Sequence, residues 1–299
     1  MFKKILVPLD TSPLAEIALP YAEELAGKLG SEVVLLHART SADTGEKPKH
    51  KDYLERIQAA LQRSKIKVAT ALYGFPNRIN DAAEEILDYA DKENIGLIIM
   101  ATHGRTGIGR WALGSTANKV VRAARRPMLL VRAGAGAVGK IRLETILAPL
   151  DGSKPGETVL PYVESLASTF NSKVTLLYVV EPLYHVYPYS EGLGYYGAAG
   201  VVRVPYTEEE MKPTRDVAEK YLQDINEKLS GKGVRTSYEI RMGTPGEEII
   251  KAGETMRPDL VAMSTHGQSG FGRFDTGSTA DKVLHGGTTP LFLVRPRKT

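Results

Sequence analysis

Residues 3–38 read KKILVPLDTSPLAEIALPYAEELAGKLGSEVVLLHA. The stretch divides into a strand, a helix and a second strand. KKILVPLD is a short, nearly continuous apolar run, the pattern of a strand buried on both faces. TSPLAEIALPYAEELAGKLG reads as a helix: Ser12 is placed to cap it, Pro13 sits in the tolerated first turn, and Gly30 follows its end. Pro20 lies inside that helix and is expected to kink it. SEVVLLHA is the second strand. Strands alternating with helices make parallel βαβ units with right-handed crossovers.

The alternation continues outward. A helical stretch at about 50–64, the strand KVATALY, the helix DAAEEILDYADKEN and the strand IGLIIMA follow. A glycine loop, the helix STANKVVRAA and the strand PMLLVR close the series. The series is then written a second time. ILVPLD at 5–10 returns as ILAPLD at 146–151, and Pro161 stands in the place of Pro20. Residues 101–120, ATHGRTGIGRWALGSTANKV, and 264–283, STHGQSGFGRFDTGSTADKV, agree at twelve of twenty positions. PMLLVR at 127–132 is matched by PLFLVR at 290–295. The offset between copies grows from 141 to 163 residues, so the second copy carries 22 more, mid-copy. Two domains are expected, 1–135 and 140–299, joined by the glycine-rich RAGAGAVGK. Each is an α/β unit: an open parallel sheet of about five strands with helices on both faces.

Composition narrows the function. The 299 residues hold 42% hydrophobic and 25% charged side chains, ordinary for a globular chain. Lys plus Arg is 39 against 35 Asp plus Glu, a surplus too small and too mixed for a dedicated nucleic-acid protein. There is no cysteine, which excludes disulfides, thiolate metal sites and Cys nucleophiles. No apolar run approaches the roughly 18 residues of a membrane span, and Pro8 and Asp10 interrupt the N-terminus too early for a signal peptide. A cytoplasmic protein without membrane contact is expected. GxGxxG occurs at Gly134, Gly136 and Gly139 and at Gly192, Gly194 and Gly197, but no helix follows either, so neither reads as a dinucleotide fingerprint.

In open α/β sheets ligands bind beyond the carboxyl ends of the strands. Asp10 and Asp151 stand there after the first strand of each copy, and the glycine loops stand there after the fourth. Gly114, Ser115 and Thr116, and again Gly277, Ser278 and Thr279, open a helix whose leading N–H groups and dipole favour an anion. A plain capped helix is the competing reading. No GxxxxGK[ST] occurs.

The two loops resemble the ATP-binding motif of the universal stress protein family, G-x2-G-x9-G-[ST]. Here it reads Ala101-x2-Gly104-x9-Gly114-Ser115 and Ser264-x2-Gly267-x9-Gly277-Ser278, so a small residue replaces the first glycine in each copy. The resemblance covers nearly the whole chain and implies the adenine-nucleotide alpha hydrolase-like fold with strand order 3-2-1-4-5. It implies a stress-response protein that binds ATP, with Mg2+ held through the phosphates, and acts as a sensor or regulator. Slow ATP hydrolysis or phosphotransfer, and a nucleotide-free interaction module, are the rival readings. Asp10 with Pro8, and Asp151 with Pro149, would approach the adenosine end. His37-Ala38 and Tyr178-Val179-Val180 would line the base pocket. His103, Gly104 and Arg105, with His266 and Gly267, would belong to the phosphate loops. The family pairs domains through the last strand, which implies an internal pseudo-dimer, with a homodimer as a further assembly.

No catalytic constellation is legible. His103 and His266 lie in Thr-His-Gly turns without a partner acid, and the other histidines lack metal-ligand spacing. Loop one carries Arg105 and Arg110. Loop two offers Gln268, Arg273 and Asp275, which lowers its charge from +2 to zero and favours site one. The second copy's surplus near 182–206, PLYHVYPYSEGLGYYGAAGVVRVPY, holds six of the fourteen tyrosines. It reads as a surface loop, or as a lid or partner surface.

Overall fold

The computed structural model describes residues 1–39, 47–74, 81–102, 113–132, 141–189, 200–267 and 277–296. The first half runs β1 (Lys4–Pro8), α1 (Pro13–Glu16), α2 (Leu19–Leu29), β2 (Glu32–Ala38), α3 (Lys47–Gln62), β3 (Lys67–Tyr73), α4 (Ala82–Lys92), β4 (Leu97–Ala101), α5 (Ser115–Ala123) and β5 (Met128–Val131). The second half repeats it as β6 (Thr145–Leu150), α6 (Lys154–Glu157), α7 (Leu160–Phe170), β7 (Lys173–Val180), α8 (Glu208–Ser230), β10 (Arg235–Met242), α9 (Pro245–Met256), β11 (Leu260–Ser264), α10 (Ser278–Gly286) and β12 (Leu291–Val294). Between β7 and α8 it adds β8 (Tyr184–Tyr189) and β9 (Gly200–Pro205). Among the described residues no helix is long and apolar enough to cross a membrane.

Each half has the strand order 3-2-1-4-5, and the two sheets fuse into one of ten strands, β10-β7-β6-β11-β12-β5-β4-β1-β2-β3. All pairings within a half of this sheet are parallel. The seam is the antiparallel pair β12–β5, with Phe292 opposite Leu129. The short apolar strands MLLV and LFLV thus cover each other's edges, which would otherwise invite intermolecular pairing. β4, β5, β11 and β12 are buried along their whole length, while β3 and β10, the outer edges, are only half-buried. On one face, Phe2, Tyr162 and Phe292 form an aromatic cluster across the seam, with ring centroids 5.8–6.3 Å apart.

The helix after each first strand breaks where a kink was expected. Pro20 has no N–H, and its ring would collide with the carbonyl of Glu16 in a continuous helix. The chain therefore ends α1 at Glu16 and restarts α2 at Leu19, with Pro20 in the new first turn. Pro161 stands four residues after Glu157, and α6 ends there. Ser12 and Ser153 cap the short helices. Gly30 closes α2 in the left-handed conformation, and Asn171 takes the same conformation after α7. The surplus of the second copy, read above as loop or lid, contains the antiparallel pair β8–β9, separate from the main sheet.

Candidate functional site

Strand order reverses between β1 and β4, and between β6 and β11, so a crevice opens beyond their carboxyl ends. In the second half it is a cavity of about 570 Å³. That lies within the range of small-molecule and cofactor sites, roughly 300–1,000 Å³. Pro149, Asp151, Val179, Ser264, His266, Gly267, Gly277, Ser278 and Thr279 all line it, together with Tyr178, Leu183, Thr214 and Pro245. In the first half Pro8, Asp10, Ala38 and Ala101 occupy the matching strand ends, and Gly114, Ser115 and Thr116 the matching helix start. His103, Gly104, Arg105, Arg110, Gln268, Arg273, Asp275 and both GxGxxG stretches lie outside the described residues.

The acid after the first strand is held by a local turn. Asp151 Oδ1 accepts from the Ser153 N–H at 3.1 Å and the Ser153 hydroxyl at 2.7 Å. Asp10 does the same with Ser12, at 3.0 and 2.6 Å. The turn needs a positive φ between acid and serine: Gly152 takes 78° and Thr11 takes 69°. Glycine accepts this freely, whereas a β-branched residue is strained there by about 1–2 kcal/mol. Thr11→Gly should therefore stabilise the protein by about 0.5–1 kcal/mol, after the added freedom of the unfolded chain is subtracted. Gly152→Ala should cost about 1 kcal/mol; its Cβ would meet only Tyr178, at an ordinary 3.6 Å. Urea unfolding checks both, and a destabilised Thr11→Gly would show that the threonine side chain outweighs its strain.

The carboxylate of Asp151 also touches the glycine loop. A Cβ built on Gly267 would lie 1.9 Å from Asp151 Oδ2. Only glycine permits this approach of loop to acid.

The helices α5 and α10 begin without side-chain caps. Gly114 and Gly277 are their N-cap residues, and among the described residues no side chain caps their leading N–H groups. Ser12, Asp81, Ser153 and Thr207 cap α1, α4, α6 and α8, while α2, α7 and α9 also start without a side-chain cap. The N–H groups of Gly114 and Gly277 donate to Thr102 and Thr265, both at 2.8 Å, which ties each helix start to the preceding strand end. A Cβ on Gly277 would sit 3.0 Å from the Thr265 carbonyl. The result is a helix N-terminus with bare backbone at a cavity wall, an arrangement that attracts anions.

Ala101 and Ser264, which replace the motif's first glycine, end β4 and β11 with ordinary negative φ. No glycine is required there. The Ser264 hydroxyl donates to the carbonyl of His266 at 2.8 Å, and His266 Nδ1 meets the Thr265 hydroxyl at 2.9 Å. His266 is buried, and its ring supports this turn.

The ends of the second strands differ between the halves. In the second half Tyr178 and Tyr221 meet edge to face, centroids 6.1 Å apart. Burial, then the charges of Glu157 and Asp151, push the Tyr221 phenol upward. In the first half His37 and His50 are buried with centroids 4.0 Å apart, and His37 Nδ1 donates to the Leu9 carbonyl at 2.9 Å. Tyr53 stands near Glu16 and Asp10, its phenol raised by burial first and by these acids second. Sequence reading missed Tyr53, Tyr221, Glu16 and Glu157. The signal for the acids was available: each lies six residues after the strand-one aspartate.

A family model described as "Universal stress protein family" matches residues 1–132 and again 142–295. A universal stress protein of Mycolicibacterium smegmatis is 23% identical over an alignment of 306 residues, covering 98% of this chain and 97% of that protein. A universal stress protein of Methanocaldococcus jannaschii is 27% identical and aligns with 44% of this chain and 96% of its own length. The crystal structure of a universal stress protein from Archaeoglobus fulgidus superposes over 98% of both chains with a TM-score of 0.72 at 16% identity, a likeness of fold. With the family's unit matched twice along its length, the chain belongs to the universal stress protein family.

Proposed function

We propose that the chain is a cytoplasmic adenine-nucleotide-binding regulator with two sites, one in each of the domains 1–135 and 140–299. The observation that carries the reading is the meeting, in one cavity, of a fixed carboxylate with an uncapped helix start. The two ends have opposite polarity. Asp151 suits the hydroxyls of a ribose or an amino group of the base and repels phosphate. Gly277, Ser278 and Thr279 suit phosphate. The residues fit ATP, since small residues stand wherever backbone must approach the ligand. Gly267, Gly277, Ser278 and Thr279 would hold the phosphates, and Tyr178 and Val179 would face the base. Mg2+ would arrive bound to the phosphates, because no group of three acidic, His or Cys side chains among the described residues is arranged to hold a metal. The bound nucleotide supplies a ligand-dependent signal, and the protein acts by holding it.

The freshly purified chain, denatured and analysed by mass spectrometry, is expected to release ATP or ADP. Protein that carries no nucleotide and gives no calorimetric heat with millimolar ATP would overturn the reading. Release of ADP with steady phosphate production would move the assignment to a slow ATPase.

A further inference from the structure

The two halves share the backbone at the base of the glycine loop and differ in the side chains around it. In each, the residue after the fourth strand is tied to the fifth: the Thr102 N–H donates to the Val131 carbonyl at 2.9 Å, and the Thr265 N–H to the Val294 carbonyl at 2.8 Å. Each threonine carbonyl in turn accepts the N–H of the helix-opening glycine. Inside this common frame one copy is apolar and the other polar. At the offsets of 141 and 163 residues, Ile17 corresponds to Thr158 and Ala101 to Ser264.

The polar pair is engaged. The Ser264 hydroxyl donates to the His266 carbonyl at 2.8 Å and accepts from the His266 N–H at 3.3 Å, which closes a tight side-chain turn over Thr265. The Thr158 hydroxyl donates to the Pro155 carbonyl at 2.7 Å and stands 3.5 Å from the Ser264 hydroxyl, at the break between α6 and α7. Thr265 Oγ1 meets His266 Nδ1. Ser264, Thr265 and His266 are all buried, and all three line the cavity. A buried polar network whose members hold one another makes a segment rigid. The next residue is Gly267, whose backbone is pressed against Asp151. Any rotation of the His266 peptide shifts Gly267 relative to that acid. Ile17 and Ala101 carry no hydrogen-bonding side-chain atom, so the first copy lacks this clamp.

We infer that Ser264 is a positioning residue of the second site: its hydroxyl, backed by Thr158, holds the Thr265–His266 turn so that Gly267 stands against Asp151 before a ligand arrives. The inference rests on the reading of this cavity as a nucleotide site, and it gives that site a feature the first does not have. Order built in beforehand is not charged against binding. The clamp therefore opposes the loop charges, which favour site one. A glycine at this position, as in the family motif, would supply no hydroxyl. The serine is thus a change of role for the position rather than a tolerated departure.

One measurement needs no nucleotide. In hydrogen exchange of the ligand-free full chain, the peptide that carries Gly267 should exchange about tenfold faster in Ser264→Ala, with β12 unchanged. A hydroxyl that served the ligand alone would leave this exchange as in the parent. Calorimetry with ATP should show one of two binding constants weakened about tenfold in Ser264→Ala and the other untouched. The reverse graft, Ala101→Ser with Ile17→Thr, should tighten that other constant several-fold, a gain that destabilisation cannot mimic. The graft carries the test if Ser264→Ala fails to fold. Unchanged exchange at Gly267 in Ser264→Ala, or a graft that tightens neither constant, would overturn the proposal. A parent chain that binds no ATP overturns the nucleotide reading instead, and the exchange measurement alone then decides whether the clamp exists.

Discussion

Gly267→Ala is expected to remove one nucleotide from the titration: a chain that takes up two should take up one. The added methyl would stand 1.9 Å from Asp151 Oδ2 and 3.0 Å from its Cγ. The carboxylate has nowhere to retreat. Its other oxygen accepts two hydrogen bonds from Ser153, and on that side Gly156 is so close that a Cβ there would lie 2.3 Å from Oδ1. The acid is therefore wedged between two glycines, one in α6 and one in the loop. Alanine at Gly267 must displace either the Asp151 turn or the loop, and both displacements separate the acid from the uncapped start of α10. Losing one charge-assisted hydrogen bond to ligand costs about 1.5–3 kcal/mol, a weakening of about ten- to hundredfold. Overpacking should also cost about 1–3 kcal/mol of stability, so the fold is checked by circular dichroism in the same samples. Gly156→Ala presses on the acid from the other side and should act in the same direction. Calorimetry with two undiminished sites in both variants would remove Asp151 from the nucleotide assignment.

Much of this arrangement was legible because the chain states it twice. The motif residues around Gly267 and Gly277 recur at fixed spacing, and spacing after a buried strand translates directly into position at its carboxyl end. Pro20 was legible as a perturbation, but its result was not. The collision it causes is with the carbonyl of Glu16, and only the backbone shows that α1 stops there. The β8–β9 ribbon was hidden by its own composition. Pro188 and Pro205 argue against strands, and a ribbon exposed on both faces has no apolar-polar alternation to detect. Tyr53 and Tyr221 were hidden by register. They lie 168 residues apart, whereas the flanking motifs are offset by 141 and 163, so no single alignment of the copies brings them together. Arg132 and Arg295 were hidden by distance, since their partners lie more than 150 residues away.

Those two arginines make the strongest demand on the seam. Arg132, directly after β5, reaches into the other half. Its Nη2 donates to the carbonyls of Val283 at 2.8 Å and Leu284 at 2.7 Å, and its Nε donates to Thr289 at 3.2 Å. Val283 and Leu284 lie in the last turn of α10, where a cation is favoured by the dipole; the Val283 carbonyl also accepts from the Gly287 N–H at 3.0 Å. Burial pushes the guanidinium down to about 10, so it stays charged at neutral pH but loses part of its gain to desolvation. Arg132→Met keeps the length of the stem and deletes the donors, so the Leu284 and Thr289 carbonyls lose their guanidinium partner while Val283 keeps the Gly287 N–H. An unsatisfied carbonyl costs about 1–3 kcal/mol; with relief of the desolvation and some access of water, the net loss should be about 2–3 kcal/mol. Arg295 is its pseudo-symmetric counterpart after β12, yet among the described residues it makes one such bond, to the Arg122 carbonyl at 2.6 Å. Arg295→Met should therefore cost only about 1 kcal/mol. The inequality is the test. Urea unfolding in which the two variants lose equal stability, or in which Arg132→Met loses none, would show that strand pairing and the aromatic cluster hold the halves without the clasp.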